Sequence, residues 1–214
     1  MFYCPYAYRC NNRNYRVNGT NSHFRIFNAS PNAGPVDVYV NDNPTIMNLA
    51  YKEVSRYIAG PPGNYNIKIY PAGQTTSPII NTTLPIPQDT IFNVALIGMP
   101  PNITLYPIPE PLRSENFGVP CIRFVHLSPN APGMDVTFSD GSKIFSDVNY
   151  KDFTQYACIP SGTYTIQLRP SGTNNIVATI PNVKLDANNF YTIYAVGLSG
   201  GTPPLVGILV TEPR

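Results

Sequence analysis

Short apolar runs alternate with turn signals along the whole chain, and none carries the 3.6-residue repeat of an amphipathic helix. Tyr65, Ile67 and Ile69 alternate with Asn66 and Lys68, the pattern of a half-buried strand. Phe92 to Ile97 is instead almost continuously apolar, as expected of a central strand covered on both sides. On this basis strands are expected at Phe24–Phe27, Val36–Val40, Val54–Ile58, Tyr65–Tyr70, Ile79–Leu84, Ile91–Gly98 and Ile103–Tyr106. A second set is expected at Ile122–Val125, Met134–Phe138, Phe153–Cys158, Tyr164–Arg169, Ile176–Ile180, Tyr191–Gly197 and Val206–Thr211. Short strands broken by turns every 8 to 12 residues or so indicate two-sheet antiparallel sandwiches of immunoglobulin-like type.

The two sets are copies of one unit. Ser30-Pro31-Asn32-Ala33-Gly34-Pro35-Val36-Asp37-Val38 returns as Ser128-Pro129-Asn130-Ala131-Pro132-Gly133-Met134-Asp135-Val136. Tyr51 matches Tyr150, Pro61-Pro62-Gly63-Asn64-Tyr65 matches Pro160-Ser161-Gly162-Thr163-Tyr164, and Pro71-Ala72-Gly73 matches Pro170-Ser171-Gly172, always at an offset of 98 or 99 residues. A period this long is a tandem domain duplication. The expected fold is all-β: an N-terminal arm (1–21), a first sandwich (22–108), a Pro-rich linker (109–120) and a second sandwich (121–214). Four prolines between Pro107 and Pro120 predict an extended connector that holds two independent sandwiches apart. Their separate cores are expected around Phe27, Val38, Ile67, Val94 and Leu96, and around Val125, Val136, Ile166, Ile193 and Ala195. Gly63 and Gly162 are expected in matching turns that need positive φ or close backbone approach.

The run Ile122-Arg123-Phe124-Val125-His126-Leu127-Ser128-Pro129-Asn130-Ala131-Pro132-Gly133-Met134-Asp135-Val136, with Tyr150, Pro160 to Tyr164 and Pro170 to Thr173, resembles a bacterial domain-of-unknown-function family. The resemblance implies immunoglobulin-like sandwiches, often in tandem, in surface and envelope proteins. It brings no catalytic residues.

Composition narrows the function classes. Only 12% of residues are charged, while Pro numbers 24, Gly 15, Tyr 15 and Asn 23, so turn formers are everywhere. A net charge of +2 is too small to mark a nucleic-acid or anionic-membrane surface. The longest apolar run, near Val94 to Met99, is far short of the roughly 18 residues of a membrane span. Arg9, Arg13 and Arg16 with scattered Asn leave no apolar signal-peptide core, so a bacterial spore or cell surface is expected to be reached without classical secretion.

Candidate chemistry is sparse. Asp37 and Asp135 read as carboxylates that lock the motif loop, since a calcium site would need about six to eight oxygens. His23 and His126 lie in no metal-spaced cluster, and Asn28 occupies the place of His126 in the other repeat. No nucleophile motif or phosphate loop is present, so neither an enzyme nor a cofactor is expected. The sequons at Asn18, Asn28, Asn81 and Asn102 carry no weight in so Asn-rich a chain.

The arm and the cysteines remain. Phe2, Cys4, Tyr6, Tyr8 and Cys10 fall on alternate positions and would share one face of an extended peptide. Cys121 and Cys158 lie in the second repeat, where the first has His23 and Ala59. Four cysteines allow three full pairings, besides the reduced state. The main expectation is a structural subunit that self-assembles into a fibre or layer. Phe2, Tyr6 and Tyr8 would contact a neighbouring copy, and Cys4, Cys10, Cys121 and Cys158 are candidates for intersubunit disulfides. The alternative is a surface module binding a carbohydrate or a protein.

Overall fold

The computed structural model describes residues 21–112 and 118–212. These fold entirely as β-structure. The first repeat forms β1 (Ser22–Asn28), β2 (Val36–Val40), β3 (Asn43–Leu49), β4 (Ile58–Gly60), β5 (Gly63–Pro71), β6 (Ile80–Ile86), β7 (Ile91–Met99) and β8 (Asn102–Glu110). The second forms β9 (Cys121–His126), β10 (Met134–Phe138), β11 (Lys143–Val148), β12 (Ala157–Cys158), β13 (Gly162–Pro170), β14 (Ala178–Leu185), β15 (Phe190–Val196) and β16 (Val206–Thr211).

Each repeat is a sandwich of two four-stranded sheets, ordered β3-β2-β5-β6 and β4-β1-β7-β8 in the first and β11-β10-β13-β14 and β12-β9-β15-β16 in the second. Pairing is antiparallel except for β1 with β7 and β9 with β15. Those pairs are parallel because the chain crosses to the other sheet and returns between them. Inside the first sandwich Phe24, Ile26, Val38, Ile67, Val94 and Leu96 share a core, matched in the second by Ile122, Phe124, Val136, Ile166, Ile193 and Ala195.

Several expectations are corrected. β3 and β11 were not anticipated, because most of their residues are exposed at a sheet edge and carry too little apolar alternation to be recognised. Gly63 and Gly162 open strands rather than turns: φ of Gly63 is 158°, close to extended, and a Cβ on Gly162 would meet nothing nearer than an ordinary 3.4 Å contact. The glycines that need their freedom are Gly98 and Gly197, with φ of 90° and 92° and Cβ positions only 2.2 Å from the carbonyl oxygens of Asn102 and Pro204.

The largest correction concerns independence. Phe27 and Val125 belong to neither inner core. They lie in a third cluster with Ala29, Ala95, Ile97 and Ile108 of the first repeat and Leu127, Tyr194 and Val196 of the second, all fully buried. Residues of β1 and β7 alternate between the inner core and this shared one, as the pleat requires. The sheets β4-β1-β7-β8 and β12-β9-β15-β16 therefore pack on each other, and both have two covered faces. The expected linker is shortened as well, because β8 carries Pro107 and Pro109 opposite Val94 and Phe92. An edge strand accepts proline because its outward N–H has no ladder partner to lose.

Candidate functional site

The motif loops are built by short-range polar locks. Ser30 Oγ donates to the Gly98 carbonyl at 2.8 Å and Ser128 Oγ to that of Gly197 at 2.6 Å, tying each loop to the end of β7 or β15. Buried Asp37 accepts from the N–H groups of Asn48 and Gly73 at 2.7 and 2.8 Å. Asp135 accepts from those of Asp147 and Gly172 at 3.0 and 3.3 Å, and Lys143 Nζ lies 2.6 Å from it. Burial opposes the Asp135 charge, but Lys143 and the two N–H groups outweigh it and lower its pKa. All these partners are donors, as a loop lock requires. Asn28 Nδ2 donates to the Gly34 carbonyl at 2.9 Å. His126 does the same work through Nε2, 3.0 Å from the Pro132 carbonyl, while its Nδ1 accepts from the Ser128 N–H at 3.3 Å. Those two partners fix the neutral Nε2–H tautomer. No group of three or more His, Cys, Asp or Glu is placed to hold a metal ion among the described residues.

The strongest perturbation of charge lies between the repeats. Arg25 reaches Glu110 at 2.5 Å and Glu212 at 3.4 Å, and Arg123 reaches Glu212 at 3.3 Å, with all four side chains buried. Tyr57 donates to Glu110, Thr192 donates to Glu212, and the guanidinium groups lie over Tyr57 and Tyr156 at 4.7 and 4.9 Å. Burial, and then the neighbouring Glu212 carboxylate, push the Glu110 carboxyl up to about 8. Beside it Asn93 Nδ2 donates to the Tyr194 hydroxyl at 2.9 Å, from one repeat to the other. The four charged side chains of this cluster are buried, so it joins the sandwiches, while Tyr57 reaches the surface in an open cleft of about 550 Å³ that Met47 and Arg56 also line.

A second open concave surface occurs at a strand turn. The β10–β11 turn and the start of β13 frame a shallow cleft of about 360 Å³ lined by Phe138, Ser139, Asp140, Thr163, Tyr164 and Thr165. The rings of Phe138 and Tyr164 lie 5.1 Å apart with planes inclined by 36°. The Tyr164 hydroxyl is anchored to the Pro160 carbonyl at 2.6 Å, which holds its ring in place. Asp140 accepts from the Ser142 hydroxyl and N–H at 2.6 and 2.8 Å, and these bonds lower its pKa. In the first repeat Val40 stands where Phe138 does, and Lys68 pairs with Asp42 at 2.5 Å across the corresponding turn. The floor of the cleft was not singled out from the sequence. The signal available there was the change from Val40 to Phe138 between otherwise matching repeats.

The predicted site residues divide into two groups. Cys121 and Cys158 sit directly opposite each other on the antiparallel neighbours β9 and β12 and form a disulfide within the chain. As candidates for bonds between subunits they are thereby corrected, because the strand register itself brings their sulfurs together. The first repeat keeps the same register with His23 opposite Ala59 and no disulfide. Phe2, Cys4, Tyr6, Tyr8 and Cys10 lie outside the described residues.

Among solved structures the chain is similar to CBMbc, of family CBM26, from Eubacterium rectale Amy13K in complex with maltoheptaose. The identity is 9%, the TM-score is 0.28, and 90% of this chain and 96% of that one are covered. It is also similar to a streptococcal virulence factor described for alpha-glucan binding, at 10% identity and a TM-score of 0.26, over 83% of this chain and 92% of that one. No curated protein matches the chain. A family model matches residues 22–137 and again 122–212, covering both sandwiches and both copies of the Ser-Pro-Asn-Ala motif, and the chain belongs to that family, the domain of unknown function DUF4397.

Proposed function

We propose that the chain is a non-catalytic surface module that binds carbohydrate in the cleft of its second sandwich. The observation that supports this reading is the paired Phe138 and Tyr164 floor rimmed by Ser139, Asp140, Thr163 and Thr165. A pyranose ring has an apolar C–H face that lies against an aromatic ring, and hydroxyls that need acceptors and donors around its edge. An ionised Asp140 accepts from sugar hydroxyls, and the threonine and serine hydroxyls serve either way. Affinity electrophoresis of the full chain in gels containing soluble polysaccharides, with titration of maltoheptaose as the first defined probe, tests the reading. The expected result is retardation by at least one polysaccharide, lost or weakened about tenfold in Phe138→Ala and Asp140→Asn and kept in Met47→Ala on the first sandwich. Equal behaviour of all four proteins would overturn it.

A second reading is favoured by a different observation, the shared core that makes the two sandwiches one stiff unit. In it the chain is a structural subunit of a bacterial surface fibre or layer, joined through Phe2, Tyr6, Tyr8 and bonds from Cys4 and Cys10. The disulfide between Cys121 and Cys158 supports an oxidising exterior for either reading. Deleting residues 1–21 and comparing assemblies by microscopy and non-reducing gels tests it, since polymers that survive the deletion exclude the arm as the joint.

A further inference from the structure

The face that joins the two repeats has the character of an interface between identical partners. Phe27 and Val125, Ala95 and Tyr194, and Ile97 and Val196 are matching positions of the duplication, and each pair has one member on either side of the buried seam. The charges follow the same rule within each repeat and depart from it where they cross. Arg25 with Glu110 in one repeat repeats as Arg123 with Glu212 in the other, and Arg25 also crosses to Glu212 while Arg123 crosses to the Pro109 carbonyl at 2.6 Å. Equal patches that meet reciprocally are the mark of an isologous contact.

The symmetry is not complete, and one of its breaks decides which partner fits. Asn93 and Thr192 are equivalent, standing opposite Arg25 and Arg123 on the neighbouring strand, yet Asn93 alone donates to the Tyr194 hydroxyl. Two first repeats would bring together two Asn93 amides and no Tyr194. Two second repeats would bring two Tyr194 hydroxyls and no Asn93. Each like pair leaves a buried polar group without the partner it has here, a large penalty beside the near-neutral exchange of apolar contacts. The ring contact agrees with this, since Phe27 packs on Tyr194 at 5.0 Å, whereas the equivalent positions Val125 and Ala95 are both small.

We propose that this face is a recognition surface for the opposite repeat wherever that repeat is carried, so that the first sandwich of one copy docks on the second sandwich of another. Within one chain the covalent link between the two is residues 111–120, and the disulfide lies wholly inside the second repeat. An exchanged pair therefore keeps every contact of the seam. At low concentration the tether favours pairing within the chain, because it sets a high effective concentration, and at high concentration pairing between chains competes. The polarity of first on second gives closed dimers, or open chains where the rotation does not close.

Two measurements test this. Intact chains, half of them carrying an affinity tag, are unfolded and refolded together. Mixed dimers captured on the tag are expected, in a fraction that rises with protein concentration, and monomers at every concentration would overturn the proposal. Separately, a protease site placed within residues 111–120 is cut after folding. The halves are expected to stay paired one to one and to accept a labelled second repeat from another cut sample, with Tyr194→Phe raising the dissociation constant about tenfold, the equivalent of about 1.4 kcal/mol for one buried hydrogen bond. Halves that separate, that pair like with like, or that ignore Tyr194→Phe sink it.

Discussion

Asn28 and His126 solve one residue-scale problem with different chemistry, and only one solution depends on pH. Burial holds the His126 imidazole below its ordinary pKa, and the Pro132 carbonyl and Asp152 only partly oppose it. The unfolded chain takes up a proton near about 6.5, whereas the folded one takes it up at lower pH. Stability contributed by the neutral ring is thus fully present above about 6.5 and is lost as pH falls through the folded value. Thermal unfolding scans from pH 7 to pH 5 are expected to show a decline in the parent that is flatter in His126→Asn, the residue already used by the first repeat. Parallel curves would show that the ring does not titrate in this window. Glycines give a second contrast at this scale. Gly197→Ala places a Cβ 2.2 Å from the Pro204 oxygen at a φ of 92° and is expected to lower stability by about 1 to 3 kcal/mol, while Gly162→Ala, whose Cβ makes an ordinary 3.4 Å contact with the Tyr164 ring, stays within about 0.5 kcal/mol. Denaturant midpoints of the two variants decide it.

At the scale of elements, β7 and β15 show what the sequence could and could not tell. Their nearly continuous apolar character implied burial on both faces, and both faces are buried. Hydrophobicity alone does not name the cover, so the sequence pattern leaves the second face without a partner and presents the repeats as separate bodies. Apolar character alone puts Phe27 in the inner core, although period two places Phe24 and Ile26 on that side and Phe27 with Arg25 on the other. A charged residue in the middle of an apolar strand, Arg25 and again Arg123, is the sequence signal of a buried polar seam. The turn motifs were legible because their geometry is local, set by Ser, Pro, Asn and Asp within a few residues. The cleft was not, since Phe138 and Tyr164 meet only after β10 pairs with β13. The two faces make different predictions. Leu96→Ala is expected to cost about 2 to 5 kcal/mol by leaving a cavity inside the first sandwich. Phe27→Ala is expected to cost about 3 to 5 kcal/mol, and it alone should loosen protection of amides in β15 of the other repeat, which hydrogen exchange would detect.

For the whole molecule the seam decides whether two sandwiches behave as one body, and its ion cluster ties that to pH. Glu110 is held above its ordinary value first by burial and then by Glu212, so that it titrates near pH 8 when folded and near about 4.5 when unfolded. The folded state therefore binds more protons in the interval. Stability from this group is fully present below about 4.5 and is lost as pH rises through about 8, the opposite sign to the histidine. Tyr57 does not titrate in that range, because burial and Glu110 raise its pKa further. The neutral acid keeps its bonds to Arg25 and Tyr57 while sparing the seam a second buried carboxylate beside Glu212. Glu110→Gln has nearly the same shape as the protonated acid, its one oxygen placed to accept from Arg25 and its amide N–H turned toward the Tyr57 oxygen. Unfolding scans from pH 5 to pH 9 are expected to fall steadily for the parent and to stay nearly level for Glu110→Gln, with the two proteins similar at pH 5 and the variant the more stable at pH 9. A parent that gains stability toward pH 9, or a variant that keeps the parental slope, would mean that Glu110 is ionised in the folded seam and that the cluster works as four paired charges.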